Sequence, residues 1–192
     1  QLGNYSLTGK TAERPAHVEF ITGDGQVLLS QSIGIRTSGG LGNSASYYKS
    51  IRLHASQNYE EQETFFLPSF FNLSETDETD FKELILRCNA SFIENTFSDA
   101  FTTTLFMDQG MGVQAYRPAV LYINGEYWGL TAVRERIDER MVASHFNLDK
   151  NNLVMLKSSH YDDKMAINSG TEEDRAEYLA LFEYANSHDI SD

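Results

Sequence analysis

The sequence predicts an α+β fold, with an antiparallel sheet in the first two thirds of the chain and mainly helices after residue 136. The sheet is predicted from two pairs of apolar segments, one separated by Gly23-Asp24-Gly25 and the other by Asn124-Gly125. Both separators are typical of β-hairpin turns. The helices are predicted from apolar residues at helical spacing, which occur over 138–146 and again over 171–187.

The first strands are predicted as a hairpin followed by a third strand. Residues 18–21 alternate, 27–36 form the returning strand, and the small polar residues 37–46 predict a loop. Residues 47–55 alternate again, which predicts a strand with two distinct faces. One predicted face carries Tyr47, Lys49, Ile51, Leu53 and Ala55, and the other carries Tyr48, Ser50, Arg52 and His54.

The rest of the chain continues this order. Residues 57–80 are acidic and irregular, and their phenylalanines predict an excursion loop that packs against the sheet. A buried strand, a helix, the second hairpin, a helix, a short strand and a last helix follow, with predicted bounds 81–87, 95–107, 119–133, 138–146, 153–156 and 171–187. In the helix 95–107, Phe97, Phe101 and Leu105 form an apolar stripe, and Asp99 lies opposite that stripe on a helical wheel.

The charge of the chain limits its partners. A net charge of −13 repels nucleic acid and anionic lipid, so neither is predicted as a partner. No run of 18 or more apolar residues occurs, so no membrane span is predicted. The single Cys88 cannot form an internal disulfide, and the cysteine count therefore does not decide the compartment.

Acidic residues are missing from Gln26 to Tyr59, although 28 acids in 192 residues would give about five in a window of this length. The window contains Arg36, Lys49 and Arg52, together with four glycines between 34 and 42. Cations beside a glycine-rich backbone predict a site for a small anion such as phosphate. The alternative is a hairpin tip that lacks acids by chance.

Three blocks of the sequence resemble the CotH (spore coat protein H) kinase family. They are GIRTSGG at 34–40 with KSIRL at 49–53, LR at 86–87 with SDAF at 98–101, and YINGEYWGL at 122–130 with RERID at 134–138. The third block is the most specific. Together the blocks carry the resemblance over roughly residues 17–157.

The resemblance implies a divergent protein-kinase-like fold. A lead-in over 1–16 would precede a small lobe over 17–135, made of an antiparallel sheet and one helix, and 136–192 would begin a helical lobe. It also implies a bacterial kinase that uses ATP and Mg²⁺ to phosphorylate serine on protein substrates that are secreted or belong to a coat or cell surface. The order of elements predicted above agrees with a kinase small lobe.

The resemblance places nucleotide-binding residues in the first block. Lys49, near the start of the third strand, would hold phosphate oxygens as a point charge, the alternative being a solvent-facing or snorkelling lysine. Arg36, Gly39 and Gly40 would place a guanidinium and backbone N–H groups on phosphates. The alternative for these three is a mobile loop tip.

Two acids are further candidates. Asp99 matches the second block and is favoured as the acid that pairs with Lys49, although the family commonly has an arginine where Ser98 stands here. Glu94 is the other acid considered, since it lies on the side of the apolar stripe, but it falls at or before the start of the helix. The alternative for Asp99 is an exposed helix residue. Glu135, where the second hairpin meets the helical half, would meet the adenine edge as a hinge residue, the alternative being a surface ion pair within Arg134-Glu135-Arg136.

The resemblance also implies what these 192 residues do not contain. The catalytic base and the carboxylates for Mg²⁺ lie downstream in the family, so no catalytic and no metal-binding residue is expected here. The segment alone is expected to transfer no phosphate. The alternative function is a non-catalytic, kinase-like binding or structural module for surface or coat assembly.

Overall fold

A computed structural model describes residues 7, 9–39, 49–71, 79–87, 98–106, 112–159 and 162–188. The chain divides into two units, Gln1–Arg136 and Ile137–Asp192. Among these residues, the first unit has a six-stranded antiparallel sheet, a short strand pair and one α-helix, and the second has a β-hairpin and two α-helices. The α+β class is therefore confirmed.

The sheet of the first unit has the strand order β1-β2-β3-β6-β8-β7. Its strands are β1 (Arg14–Ile21), β2 (Val27–Ser38), β3 (Ser50–His54), β6 (Glu83–Arg87), β7 (Tyr116–Ile123) and β8 (Glu126–Glu135). Two short strands, β4 (Phe65–Phe66) and β5 (Asp80–Phe81), form a separate pair. Strand β1 thus begins inside the segment predicted as a lead-in.

Local turn chemistry forms both predicted hairpins. Between β1 and β2, the Thr22 amide donates to the Gln26 carbonyl at 2.8 Å, and Gly25 has a φ of 89°. Between β7 and β8, Asn124 and Gly125 have φ values of 52° and 81°. Positive φ at both central residues is the geometry that joins twisted antiparallel strands tightly and that Asn-Gly favours.

One face of the sheet carries the hydrophobic core, and we call it the core face. Residues 65–71 and Phe81 cover it, as the excursion loop was predicted to do. The buried core residues are Ile33, Leu53, Ala55, Phe65, Leu67, Phe70, Phe81, Leu84, Leu86 and Val133. The covering segment is attached at both edges of the sheet, because the ring of Phe70 lies 5.2 Å from that of Phe20 on β1 and its carbonyl accepts from Arg117 on β7.

Helix α1 (Ser98–Thr104) is shorter than the predicted 95–107, of which 95–97 and 107 lie outside the described residues. The apolar side is not the one that packs. Phe101 and Leu105 are exposed, whereas Ala100 is buried and the hydroxyl of Thr103 accepts from Arg134 Nη2 at 3.2 Å. The helix therefore contacts the sheet through small and hydroxyl-bearing side chains.

The second unit contains α2 (Glu139–Phe146), β9 (Met155–Ser159), β10 (Asp162–Ser169) and α3 (Glu172–Ser187). The unit is not purely helical, because β9 and β10 pair as an antiparallel hairpin. Asp138 caps α2 by accepting from the amides of Arg140 and Met141, and Thr171 caps α3 in a reciprocal capping box with Asp174.

Helix α3 was predicted to be amphipathic, but none of its residues is buried. Its apolar side chains, Tyr178, Leu179, Leu181, Phe182 and Tyr184, are all exposed. Across the described part of the chain, no helix is long and apolar enough to cross a membrane.

Candidate functional site: an arginine cluster around Glu83

The face of the sheet opposite the core carries ionic side chains, and we call it the ionic face. Cross-strand pairing places Arg36 opposite Arg52, and His54 opposite Glu83. Arg134 joins the same face, because it and Arg52 both pair with Ile85, and residues directly opposite each other share a face. Helix α1 contacts this face through the Thr103–Arg134 hydrogen bond.

Glu83 is the centre of the ionic face. Its side chain is 4% exposed, and cationic or imidazole groups reach it from β2, from β3 and from the residue that follows β8. His54 Nδ1 lies 3.1 Å from Oε1, and Arg36 Nη2 lies 3.5 Å from the same oxygen. Arg52 Nη1 lies 3.6 Å from Oε2, and Arg136 Nη1 donates to that oxygen. Burying a carboxylate is costly unless such partners surround it.

We define the arginine cluster as Arg36, Arg52 and Arg136. A second carboxylate, that of Glu13, supports it from the edge of the sheet. Glu13 Oε2 lies 3.7 Å from Arg36 Nη1, and Glu13 Oε1 accepts from the Tyr59 hydroxyl at 2.9 Å. Burial raises the pKa of Tyr59 above its ordinary value of 10.0, and the hydrogen bond to Glu13 adds to the effect.

Gly34 makes room for this arrangement. A Cβ at position 34 would lie 2.7 Å from the Glu13 carboxyl and 2.7 Å from the Tyr59 ring. Glycine therefore lets both side chains lie flat over β2 beside Arg36. Close approach, rather than backbone conformation, explains the glycine at this position.

Lys49 directly precedes β3 and is half-buried. It is in phase with Ile51 and Leu53, which lie on the core face, whereas Arg52 and His54 lie on the ionic face. The predicted alternation of β3 is confirmed over Ser50–His54. The predicted role of Lys49 on phosphate stays a prediction.

Arg36 lies on the ionic face between Glu13 and Glu83, so its guanidinium is already engaged by two carboxylates. Gly39 directly follows β2 with a φ of 112°, in the left-handed region that glycine adopts readily. Gly40 lies outside the described residues. The phosphate-binding role predicted for all three stays a prediction.

Asp99 lies in helix α1, one turn before Thr103, and its side chain lies outside what the structure describes. Its pairing with Lys49 is not tested by this geometry.

Glu135 is 2% exposed and lies at the end of β8, opposite Leu84 on the core face. Its Oε2 accepts from the Ala115 amide at 2.8 Å, and its own amide donates to the Ala115 carbonyl at 3.4 Å. Its carbonyl accepts from the Gln114 side chain. The surface ion pair considered as its alternative is thus wrong, because the residue is buried. The hinge role stays a prediction.

Sequence reasoning missed Glu13, Glu83 and Arg136 as members of the site. Nothing in the local pattern marks Glu83, since it stands in an ordinary apolar strand. The available signal was the alternation of β3, which placed Arg52 and His54 on a face of their own. Finding their partner required the register between β3 and β6, which connects segments about thirty residues apart.

The arrangement can bind an anion, and it offers little to a metal ion. Guanidinium groups match phosphate oxygens with two parallel hydrogen bonds, and a fixed cluster of them needs little reordering. The carboxylates of Glu13 and Glu83 are engaged by cations, and among the residues described no group of three His, Cys, Asp or Glu is placed to hold a metal.

A model of the CotH kinase protein family matches residues 35–192, which include the whole arginine cluster and β3. No curated protein and no solved structure matches the chain. Because the matched part covers well over half of the sequence, the chain belongs to the CotH kinase protein family.

Proposed function

We propose that this chain is the nucleotide-binding part of a CotH-like protein kinase, which uses ATP and Mg²⁺ to phosphorylate serine on secreted, coat or surface proteins of bacteria. The observation that carries the proposal is the family match, which runs from β2 through the second unit. Catalysis of phosphoryl transfer depends almost entirely on positioning and on neutralising phosphate charge.

The first unit supplies two features that such a function needs. Its antiparallel sheet has a helix, α1, on one face, and that same face carries three fixed guanidinium groups. In a chain with a net charge of −13, this concentration of positive charge is a local exception that favours an anionic ligand. A nucleotide triphosphate is the anion that the family membership indicates.

Calorimetric titration with ATP and Mg²⁺ tests the proposal on the full-length protein, beside its Lys49→Ala variant. We expect saturable binding by the wild-type protein and incorporation of labelled phosphate into serine of a protein acceptor. If the protein is folded but binds no ATP, the kinase function is wrong. The protein would then be a non-catalytic, kinase-like module for surface or coat assembly.

A further inference from the structure

Two candidate cations for a nucleotide lie close together in sequence, Arg52 within β3 and Lys49 directly before it. Ile51 and Leu53 face the hydrophobic core, and Lys49 is in phase with them. Arg52 is out of phase, opposite Arg36 and beside Ile85 on the ionic face. Alternation within β3 therefore directs Arg52 to the ionic face, whereas Lys49 lies before the strand and shares only its sequence phase with the core-facing residues.

The position of helix α1 indicates which side is the relevant one. In protein kinases, the cation of the third strand is paired with an acid of the following helix, so that cation and helix lie on the same face of the sheet. Here α1 contacts the ionic face, through Thr103 and Arg134. Arg52 therefore lies on the helix side, and Lys49 is in phase with the other side.

Resting on the proposed function, we propose that Arg52, rather than Lys49, is the β3 residue that binds the nucleotide phosphates, and that Glu83 is the positioning residue for its guanidinium.

The environment of Arg52 suits this role. Its side chain is 23% exposed, and its Nη1 lies 3.6 Å from Glu83 Oε2. Glu83 is held in turn by Arg36 and Arg136, and this fixes the carboxylate that orients Arg52. A side chain that is already ordered loses less conformational entropy when it binds a ligand, so its contacts contribute more to affinity.

The test compares Arg52→Gln with Lys49→Gln in the full-length protein. Each variant removes one positive charge, and the two positions are close in sequence. The long-range electrostatic field of the protein therefore changes almost equally in both variants. A difference between their affinities then reports which side chain contacts the phosphates. ATP with Mg²⁺, inorganic tripolyphosphate and adenosine are titrated into the wild-type protein and into both variants. We expect Arg52→Gln to weaken ATP and tripolyphosphate binding about tenfold or more, as loss of a charge-assisted contact does.

The controls define the role. Adenosine binding should stay within about twofold in both variants, because adenosine carries no phosphate, and Lys49→Gln should weaken ATP binding by less than about threefold. Where Arg52→Gln does not fold, Arg52→Lys keeps the charge and removes the planar fork. A loss of phosphate affinity in Arg52→Lys, with adenosine binding retained, supports the same conclusion.

The outcomes separate this inference from the proposed function. ATP binding that weakens in Lys49→Gln as much as in Arg52→Gln, or more, overturns the inference and leaves the kinase function standing. Tripolyphosphate binding that is lost in Arg52→Gln, without any preference for ATP, supports Arg52 and overturns the kinase function. A wild-type protein that binds neither ligand overturns both.

Discussion

Replacing Glu83 by glutamine should destabilise the first unit substantially. The substitution keeps the shape of the side chain and removes its negative charge. The Glu83 side chain is only 4% exposed. Three groups lie 3.1–3.6 Å from its oxygens, and Arg136 donates to one of them as well. A single pair about 4 Å apart is worth about 4 kcal/mol at an effective dielectric of about 20.

Most of that attraction offsets the cost of removing the carboxylate from water, so the pairs cannot simply be added. Removing one partner of a buried ionic group typically costs about 3–5 kcal/mol, because the other charges stay behind without compensation. Glutamine retains one carbonyl acceptor, so we expect the lower end of that range, about 3 kcal/mol. The remaining arginines would also repel one another.

Urea unfolding followed by tryptophan fluorescence measures the loss of stability of the first structural unit. The single tryptophan, Trp128, lies on β8 in the first unit, so its signal reports the unfolding of the sheet. Glu63→Gln is the matched control, since Glu63 is 55% exposed and pairs with Lys82 at 3.8 Å. Exposed pairs of this kind contribute about 0–1 kcal/mol. If Glu83→Gln costs no more than Glu63→Gln, the carboxylate does not stabilise the ionic face.

Three further predictions concern stability. Gly34→Ala should lower the free energy of unfolding in urea by about 1–3 kcal/mol, because the new Cβ would displace Glu13 and Tyr59. Gly23→Ala is the control, since nothing lies within 4 Å of its new Cβ, and it should show no steric cost. Burial raises the pKa of Tyr59, so the wild-type protein should lose stability as the pH rises above 10.0. The free energy of unfolding of Tyr59→Phe should depend less steeply on pH in that range, and equal slopes for the two proteins would contradict this. Thr171→Ala removes the capping box of α3 and should lower helical stability by about 1 kcal/mol, measured by thermal melting of the circular dichroism signal; an unchanged melting temperature would refute it.

The hairpins were predictable because their information is local. Asn124 and Gly125 adopt the positive φ values that this pair favours, and the turn at Gly23–Gly25 is closed by hydrogen bonds between Thr22 and its near neighbours. Such turns depend on a few consecutive residues and on no distant contact. The caps of α2 and α3 are local in the same sense.

The features that sequence reasoning missed depend on distant contacts. Glu83 becomes the centre of the site only through the pairing of β6 with β3, which local periodicity does not encode. Strand β10 was missed because Asp162–Ser169 is mostly polar and lacks a hydrophobic alternation. Helix α1 shows the opposite problem, since Phe101 and Leu105 form a clear apolar stripe that the structure nonetheless exposes.

The strict division of the sheet into a core face and an ionic face limits where the protein can tolerate insertions and deletions. Deleting one codon at the start of β3 would reverse the direction of the side chains that follow within this strand, which would place Arg52 among the core residues and Leu53 on the ionic face. Changes in length should therefore be confined to turns such as that between β1 and β2, where Gly23 and Gly25 have open space around them. Libraries of single-codon deletions should accordingly lose folded protein within the strands and retain it at that turn.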